Sequence, residues 1–238
     1  GATSGRTTLG GEGLQHQDGS SHLVAATIPN CKAYDPAFAG EMAVIVDQGM
    51  REMLVEQQDV FYYVTLMNEN YAQPDLPEGV NAQLLKGCYR LSAAPASLKA
   101  KAKPVTLMGS GAILGEVIKA AALLAEQGIA AEVFSVTSWS ELARDGQRCE
   151  QEAIDGLGNT APFVQQQLQS GSGPIIAATD YVKALPESVR AHLPAALAGA
   201  AKRPSPRGGG AHTLAQALTT AAGSLGLTDL RFPIQLSA

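Results

Sequence analysis

Charge is sparse in this sequence. Charged residues fill 16% of its 238 positions, against ~25% in an average soluble protein. A chain kept disordered by its own charge is excluded. Positive charge is the scarcer sign: 17 Lys and Arg stand against 22 Asp and Glu, for a net charge of −5. That balance argues against a nucleic-acid binder, which needs a basic face. No apolar run approaches the ~18 residues of a membrane span. Gly1–Gly13 is polar and glycine-rich, without the apolar core of a secretory leader. Aromatics are only 5% of the chain. Cys31, Cys88 and Cys149 are odd in number and widely spaced, and no Cys-x-x-Cys occurs. Neither a disulfide framework nor a zinc site is indicated, and buried reduced thiols in a cytoplasmic protein are expected. Gly-x-Ser-x-Gly, the P-loop and a Cys/His nucleophile pair are all missing.

What is present is apolar: 45% of residues, enough to bury a sizeable core. Asp35-Pro36 has the form of a helix start, Asp35 as cap and Pro36 in the first turn. Phe38, Met42, Ile45, Val46, Met50 and Met53 would continue it at three- and four-residue steps. Val60–Met67, rich in β-branched and aromatic residues, predicts a buried strand. Pro74 and Pro77 make 72–78 irregular. Residues 80–92 predict a short helix and a strand, and 93–103 an exposed connector. Pro104–Met108 then predicts a strand, Ile113–Ala125 a helix stopped by Gly128, Ala131–Val136 a strand, Phe163–Leu168 a helix, Gly173–Thr179 a strand and Pro186–Leu193 a short helix. Such alternation means an α/β fold with a mostly parallel sheet.

Three segments could carry chemistry. His16 sits in the glycine-rich stretch Gly11–Gly19, two residues before Asp18, where an imidazole can titrate near neutrality. Taken alone such a pair is usually just solvated and polar, and His16, Asp18 and His22 form a metal set only if all three converge. Gly109-Ser-Gly-Ala-Ile-Leu-Gly115 follows a strand and opens a helix, as a dinucleotide-binding turn does. No acid closes the next strand, and a plain tight turn is the competing reading. Tyr62-Tyr63, followed by Asn68-Glu69-Asn70-Tyr71, ends a strand in polar groups, at the edge where open α/β sheets place their crevice. Glu141, Arg144, Asp145 and Arg148, within 138–150, predict an exposed ion-paired stretch.

Several segments in order resemble one family. They are Gly5-Arg-Thr-Thr-Leu-Gly-Gly-Glu-Gly-Leu-Gln-His-Gln-Asp-Gly19, Thr27-Ile-Pro-Asn-Cys-Lys-Ala-Tyr-Asp-Pro36, Tyr62-Tyr-Val-Thr-Leu-Met-Asn-Glu-Asn-Tyr71, Gly109-Ser-Gly111, Glu141-Leu-Ala-Arg-Asp-Gly146 and Ala178-Thr-Asp-Tyr181. Together they resemble the C-terminal portion of the homodimeric bacterial decarboxylating component of pyruvate dehydrogenase. The resemblance implies a transketolase-like fold: the end of a pyrimidine-binding domain over 1–75, a linker over 76–103 and a transketolase C-terminal-like domain over 104–199. It implies an oxidoreductase of glycolytic pyruvate that uses thiamine diphosphate and magnesium. The complete enzyme decarboxylates pyruvate and acetylates the lipoyl group of an acyltransferase component, its partner. By the same resemblance His16 is the catalytic loop histidine facing the cofactor's reactive carbon, and Gly109–Gly115 is a structural turn.

The departures are as specific. The family's Gly-Asp-Gly…Asn-Asn diphosphate-and-metal motif is absent, as is its activating glutamate. No cofactor-binding or metal-ligating residue is therefore expected here, and the chain alone is expected to be inactive. From about residue 200 the sequence leaves the family. Residues 1–199 hold 13 basic and 21 acidic side chains, net −8. Lys202, Arg203, Arg207 and Arg231 against Asp229 give 200–238 net +3. This divergent tail is expected to be poorly packed, with at most one helix over 213–222. A shifted reading frame in a GC-rich gene, or a different tail, gives that composition. Rival readings are a stand-alone dinucleotide-binding module and a non-catalytic interaction fragment.

Overall fold

The computed structural model describes residues 18–67, 70–99, 104–168 and 173–194. The expectations for His16 and for the tail 200–238 lie outside those residues. In chain order the elements are α1 (Ser21–Ala26), β1 (Cys31–Tyr34), α2 (Ala39–Met50), a π-helical turn (Arg51–Val55), β2 (Phe61–Val64), α3 (Asn81–Leu85), β3 (Cys88–Ser92), α4 (Ala96–Lys99), β4 (Val105–Gly109), α5 (Ile113–Glu126), β5 (Ala131–Val136), α6 (Trp139–Ile154), α7 (Phe163–Leu168), β6 (Ile175–Ala178), α8 (Ala184–Glu187) and a 3₁₀ turn (Arg190–His192).

The strands form two sheets. β1 and β2 pair in parallel, Cys31 opposite Phe61 through Tyr34 opposite Val64. The second sheet runs β3-β5-β4-β6. β4 is parallel to both β5 and β6, and β3 is antiparallel to β5. Every residue of β4 and β5 is buried, as strands covered on both faces are. Successive residues of β4 feed opposite sides. Leu107 joins Val133 and Ile176 under α5, with Leu114, Val117 and Leu124. Met108 joins Phe134 and Ile175 under α6 and α7, with Trp139, Leu142 and Leu168.

α5 ends as its sequence predicts. Gly128 takes φ +77°, its N–H bonds Ala125 O, and Ile129 N–H bonds Leu124 O, the paired closure that a left-handed glycine allows. α6 closes in the same way through Gly156 and Leu157.

Four expectations are corrected. The helix expected from Asp35-Pro36 begins at Ala39, because Asp35 is drawn into long-range contacts. Its N–H bonds Thr137 O at 2.8 Å. The helix is closed instead by Glu41, whose Oε2 accepts from Ala37 N–H at 2.6 Å and Phe38 N–H at 3.1 Å. The strand expected over 60–67 is confined to Phe61–Val64 and is only half-buried, since among the described residues it pairs with β1 alone. Residues 138–150 are not a merely exposed stretch: Trp139, Leu142, Ala143, Gly146 and Cys149 line a buried face of α6. The last predicted helix starts two residues early, at Ala184, and breaks into the 3₁₀ turn.

Candidate functional site

The two sheets turn strand ends toward each other. β1 runs into Asp35, β2 into Thr65, β4 into Ser110 and β6 into Thr179. Asp35, 5% exposed, collects the others. Thr65 Oγ donates to its Oδ1 at 2.6 Å and Ser110 Oγ to its Oδ2 at 2.9 Å. Each hydroxyl carries one proton, and the carboxylate takes both. Ser110 Oγ also lies 3.0 Å from Thr179 Oγ, to which it can turn the same proton. Thr65 must accept from His22 Nε2, also at 3.0 Å. His22 is buried edge-on to the rings of Tyr63 and Tyr181, with centroids 5.3 and 4.6 Å away.

Two more carboxylates organise the surroundings of α2. Glu41 is fully buried. Besides its helix-capping bonds it accepts from Tyr89 OH at 2.8 Å and from Ser135 Oγ at 2.5 Å, which ties α2 to β3 and β5. Glu52, on the π-helical turn, accepts from Lys32, Gln48 and Tyr62. Burial alone would raise its pKa. The hydrogen bonds from those three residues and the Lys32 charge outweigh burial and hold it below the ordinary value. Tyr62 stacks on Tyr34 with centroids 5.7 Å apart. Burial, before nearby carboxylates, lifts both phenols well above their ordinary range.

α6 supplies the clamp. Arg144 donates to Cys31 O at 2.7 Å, Ile28 O at 2.8 Å and Ala26 O at 3.2 Å, and pairs with Glu141 at 2.8 Å. Those carbonyls end α1 and begin β1. Ser138 Oγ donates to Ala33 O at 2.6 Å.

Of the conditional set His16, Asp18 and His22, only the last two are among the described residues. Asp18 turns back onto α1, accepting from Ser20 N–H, Ser21 N–H and Ser21 Oγ. His22 faces Thr65 instead. Among the described residues no three His, Cys, Asp or Glu side chains could hold a metal ion. In the Gly109–Gly115 turn, Gly111 takes φ +52°, and a Cβ there would stand 2.6 and 2.7 Å from the Asp35 oxygens. The chain's own negative charge lies against the turn, where a dinucleotide would bring its pyrophosphate. Glu132 is bound within the sheet by Thr106. Of the tyrosine segment, residues 68–69 fall outside the described residues, and Tyr71 OH bonds Ala37 O. All three thiols are buried, and desolvation pushes Cys88 up to about 12. The expected ion pairs form: Arg144 with Glu141, and Arg148 with Asp145.

Asp35, Glu41, Ser110 and Thr179 were missed as site residues. A signal existed for two of them: Ser110 and Thr179 are polar residues directly after apolar strands. For Asp35 and Glu41 the partners are too distant in sequence.

Two family descriptions match the sequence in order: the pyruvate dehydrogenase E1 component middle domain over residues 1–74 and the transketolase-like C-terminal domain over 87–200. The pyruvate dehydrogenase E1 component of Pseudomonas aeruginosa is 50% identical over 197 residues, and that of Escherichia coli K12 48% over 199. Each match covers 82% of this chain, and the chain spans 22% of each relative's length. Among solved structures, transketolase from Leishmania mexicana shares the fold, with a TM-score of 0.53 at 16% identity over 91% of this chain and 26% of that one. The Campylobacter jejuni transketolase gives 0.53 at 15% identity, over 94% of this chain and 30% of that one.

Proposed function

We propose, from the premise that this chain belongs to the pyruvate dehydrogenase E1 family, that it is the C-terminal part of such an enzyme and acts only together with the rest of it. The observation that carries the reading is the pair of domain matches in the family's order, with relatives at 48–50% identity over one continuous segment. The domain division follows the same reading: residues 1–75 end the pyrimidine-binding domain and 104–199 belong to the C-terminal domain, while of the expected linker 76–103 the strand β3 joins the C-terminal domain's sheet. The complete enzyme decarboxylates pyruvate and acetylates lipoyl groups of an acyltransferase component. It works as a homodimer in the cytoplasm, and no helix among the described residues is long and apolar enough to cross a membrane.

The family implies thiamine diphosphate, with magnesium on its diphosphate. The residues described here do not fit that group. No metal-capable cluster occurs among them, and Asp35 fills the junction of strand ends. In this reading the diphosphate and metal belong to the remainder of the enzyme, since the Gly-Asp-Gly…Asn-Asn motif is absent from this sequence. What this chain contributes is His16. An imidazole at that loop position donates a hydrogen bond to oxygen as it gains negative charge, or hands over a proton during acetyl transfer.

The purified chain with thiamine diphosphate, magnesium and pyruvate should release no CO₂. When the corresponding segment of the Escherichia coli enzyme is replaced by residues 1–194, pyruvate turnover should return. His16→Ala in that chimera should lower it by ~10²–10³ with little change in melting temperature. CO₂ release by the chain alone, or a folded chimera indifferent to His16→Ala, would overturn the reading. Tight NADH binding by the chain would favour the dinucleotide module instead.

A further inference from the structure

The carboxyl ends of parallel strands are where α/β proteins hold ligands, because backbone donors and helix N-termini face that edge. In this chain the ends of β1, β2, β4 and β6 meet, and one side chain stands where a ligand would. The Asp35 carboxylate is buried and receives one hydroxyl on each oxygen, from residues 30 and 75 positions away. No cation pairs with it among the described residues. It lies against a turn whose glycine leaves room for nothing larger than hydrogen. The backbone of the same residue continues the connection: Asp35 N–H bonds Thr137 O at 2.8 Å, and Asp35 O accepts Gly111 N–H at 3.0 Å. Through Ser110 the contact reaches Thr179. One residue of the first sheet thus touches the ends of β4 and β5 directly, and that of β6 through Ser110.

Two hydroxyl donors, the buried Ser110 and the half-buried Thr65, converge on this carboxylate beside a bare turn at the start of a 14-residue helix, an arrangement that suits a small anion. We propose that Asp35 is its tethered ligand, a latch joining the β1–β2 unit to the four-stranded sheet. A free carboxylate as small as formate takes the same position once the tether is removed. Hydroxyl donors without a cation suit a singly charged carboxylate better than a phosphate, whose larger charge would go uncompensated. The latch is independent of any reaction and holds whether or not the chain serves as part of an E1 enzyme.

The test uses the full chain and two variants. In Asp35→Ala, sodium formate should move the amide resonances of Ser110, Gly111 and Thr179 saturably, and sodium chloride at equal ionic strength should not. The parent chain, with Asp35 in place, should not respond. In the double variant Thr65→Val/Ser110→Ala the carboxylate stays and its donors go. Amide exchange at Asp35 and Gly111 should then accelerate at least tenfold, while Leu107 and Val133 in the central strands hold their rates. Equal responses to formate and chloride, or a formate response in the parent chain, would overturn the internal ligand. Unchanged exchange at Asp35 and Gly111, or acceleration spread evenly over the chain, would overturn the latch. If Asp35→Ala does not fold, the exchange measurement decides alone.

Discussion

His22 Nε2–H donates a hydrogen bond to Thr65 Oγ. The two atoms are 3.0 Å apart, and the direction is set by a third residue, because the single Thr65 hydroxyl proton is already directed at Asp35, 2.6 Å away. An imidazole buried between Tyr63 and Tyr181 thereby carries a proton on Nε2.

Long-range proton–nitrogen spectra should accordingly show His22 protonated at Nε2. Thr65→Val removes the acceptor and should release this preference, shifting both ring nitrogens. A His22 ring protonated only at Nδ1 in the parent chain would contradict the assigned chain of donors.

Gly146 lies in the middle of α6, where alanine is ordinarily favoured by ~1 kcal/mol. Here a Cβ would overlap the His192 ring, 2.7 Å from Nδ1. Gly146→Ala should therefore destabilise, by about 1–2 kcal/mol once overpacking is set against helix propensity. With His192→Ala added, the alanine at 146 should become neutral or stabilising. Urea unfolding of the two single variants and the double variant measures this directly.

Arg144→Lys should cost about 2–3 kcal/mol, although it conserves charge. A guanidinium fork spreads its donors over Cys31 O, Ile28 O and Ala26 O at once, and a single ammonium cannot reproduce that span. Chemical denaturation monitored by the lone tryptophan, Trp139 in the first turn of the same helix, is the measurement.

Glu52 gives the stability of the chain an acid limb. Desolvation opposes its charge, but the bonds from Lys32, Gln48 and Tyr62 hold its folded pKa below the ordinary value. A carboxylate depressed by folding stabilises fully above its unfolded pKa, ~4.3 for glutamate, and loses that contribution as pH falls through the folded pKa. The gap in melting temperature between the parent and Glu52→Gln should be widest above about pH 5 and should narrow as the solution is acidified below that. A gap constant from pH 7 to pH 3 would remove the Lys32–Glu52 pair from the account.

What could be read from the sequence was what neighbours in sequence decide. α5 was legible because Ile113, Leu114, Val117 and Leu124 repeat on one face and Gly128 ends it. β4 and β5 were legible as apolar runs bounded by turns. β1 was not: Cys-Lys-Ala-Tyr carries a lysine and becomes a strand through its register with Phe61–Val64. The buried face of α6 was present as a period but built from Trp139, Leu142, Ala143, Gly146 and Cys149 among charges, so its small members read as solvent-facing. Asp35 looked like a helix cap because local grammar allows it. Its actual partners, Thr65 and Ser110, are remote, and only tertiary structure chooses between such alternatives. His16 entered through family resemblance rather than through its surroundings.

The Arg144 clamp also sets an order of events during synthesis. Its target carbonyl on Cys31 was made 113 residues earlier, and Ala33 waits 105 residues for Ser138. At ~5–20 residues per second that interval is roughly 5–23 seconds. For the part of it after β2 is complete, β1 can pair with β2 while the Cys31 and Ala33 carbonyls still lack their α6 donors. Contacts so distant in sequence also slow folding, because the intervening chain must be ordered first. Translation that halts before residue 144 would leave a nascent chain able to pair β1 with β2 but unable to bury them, a species for holding chaperones and proteases.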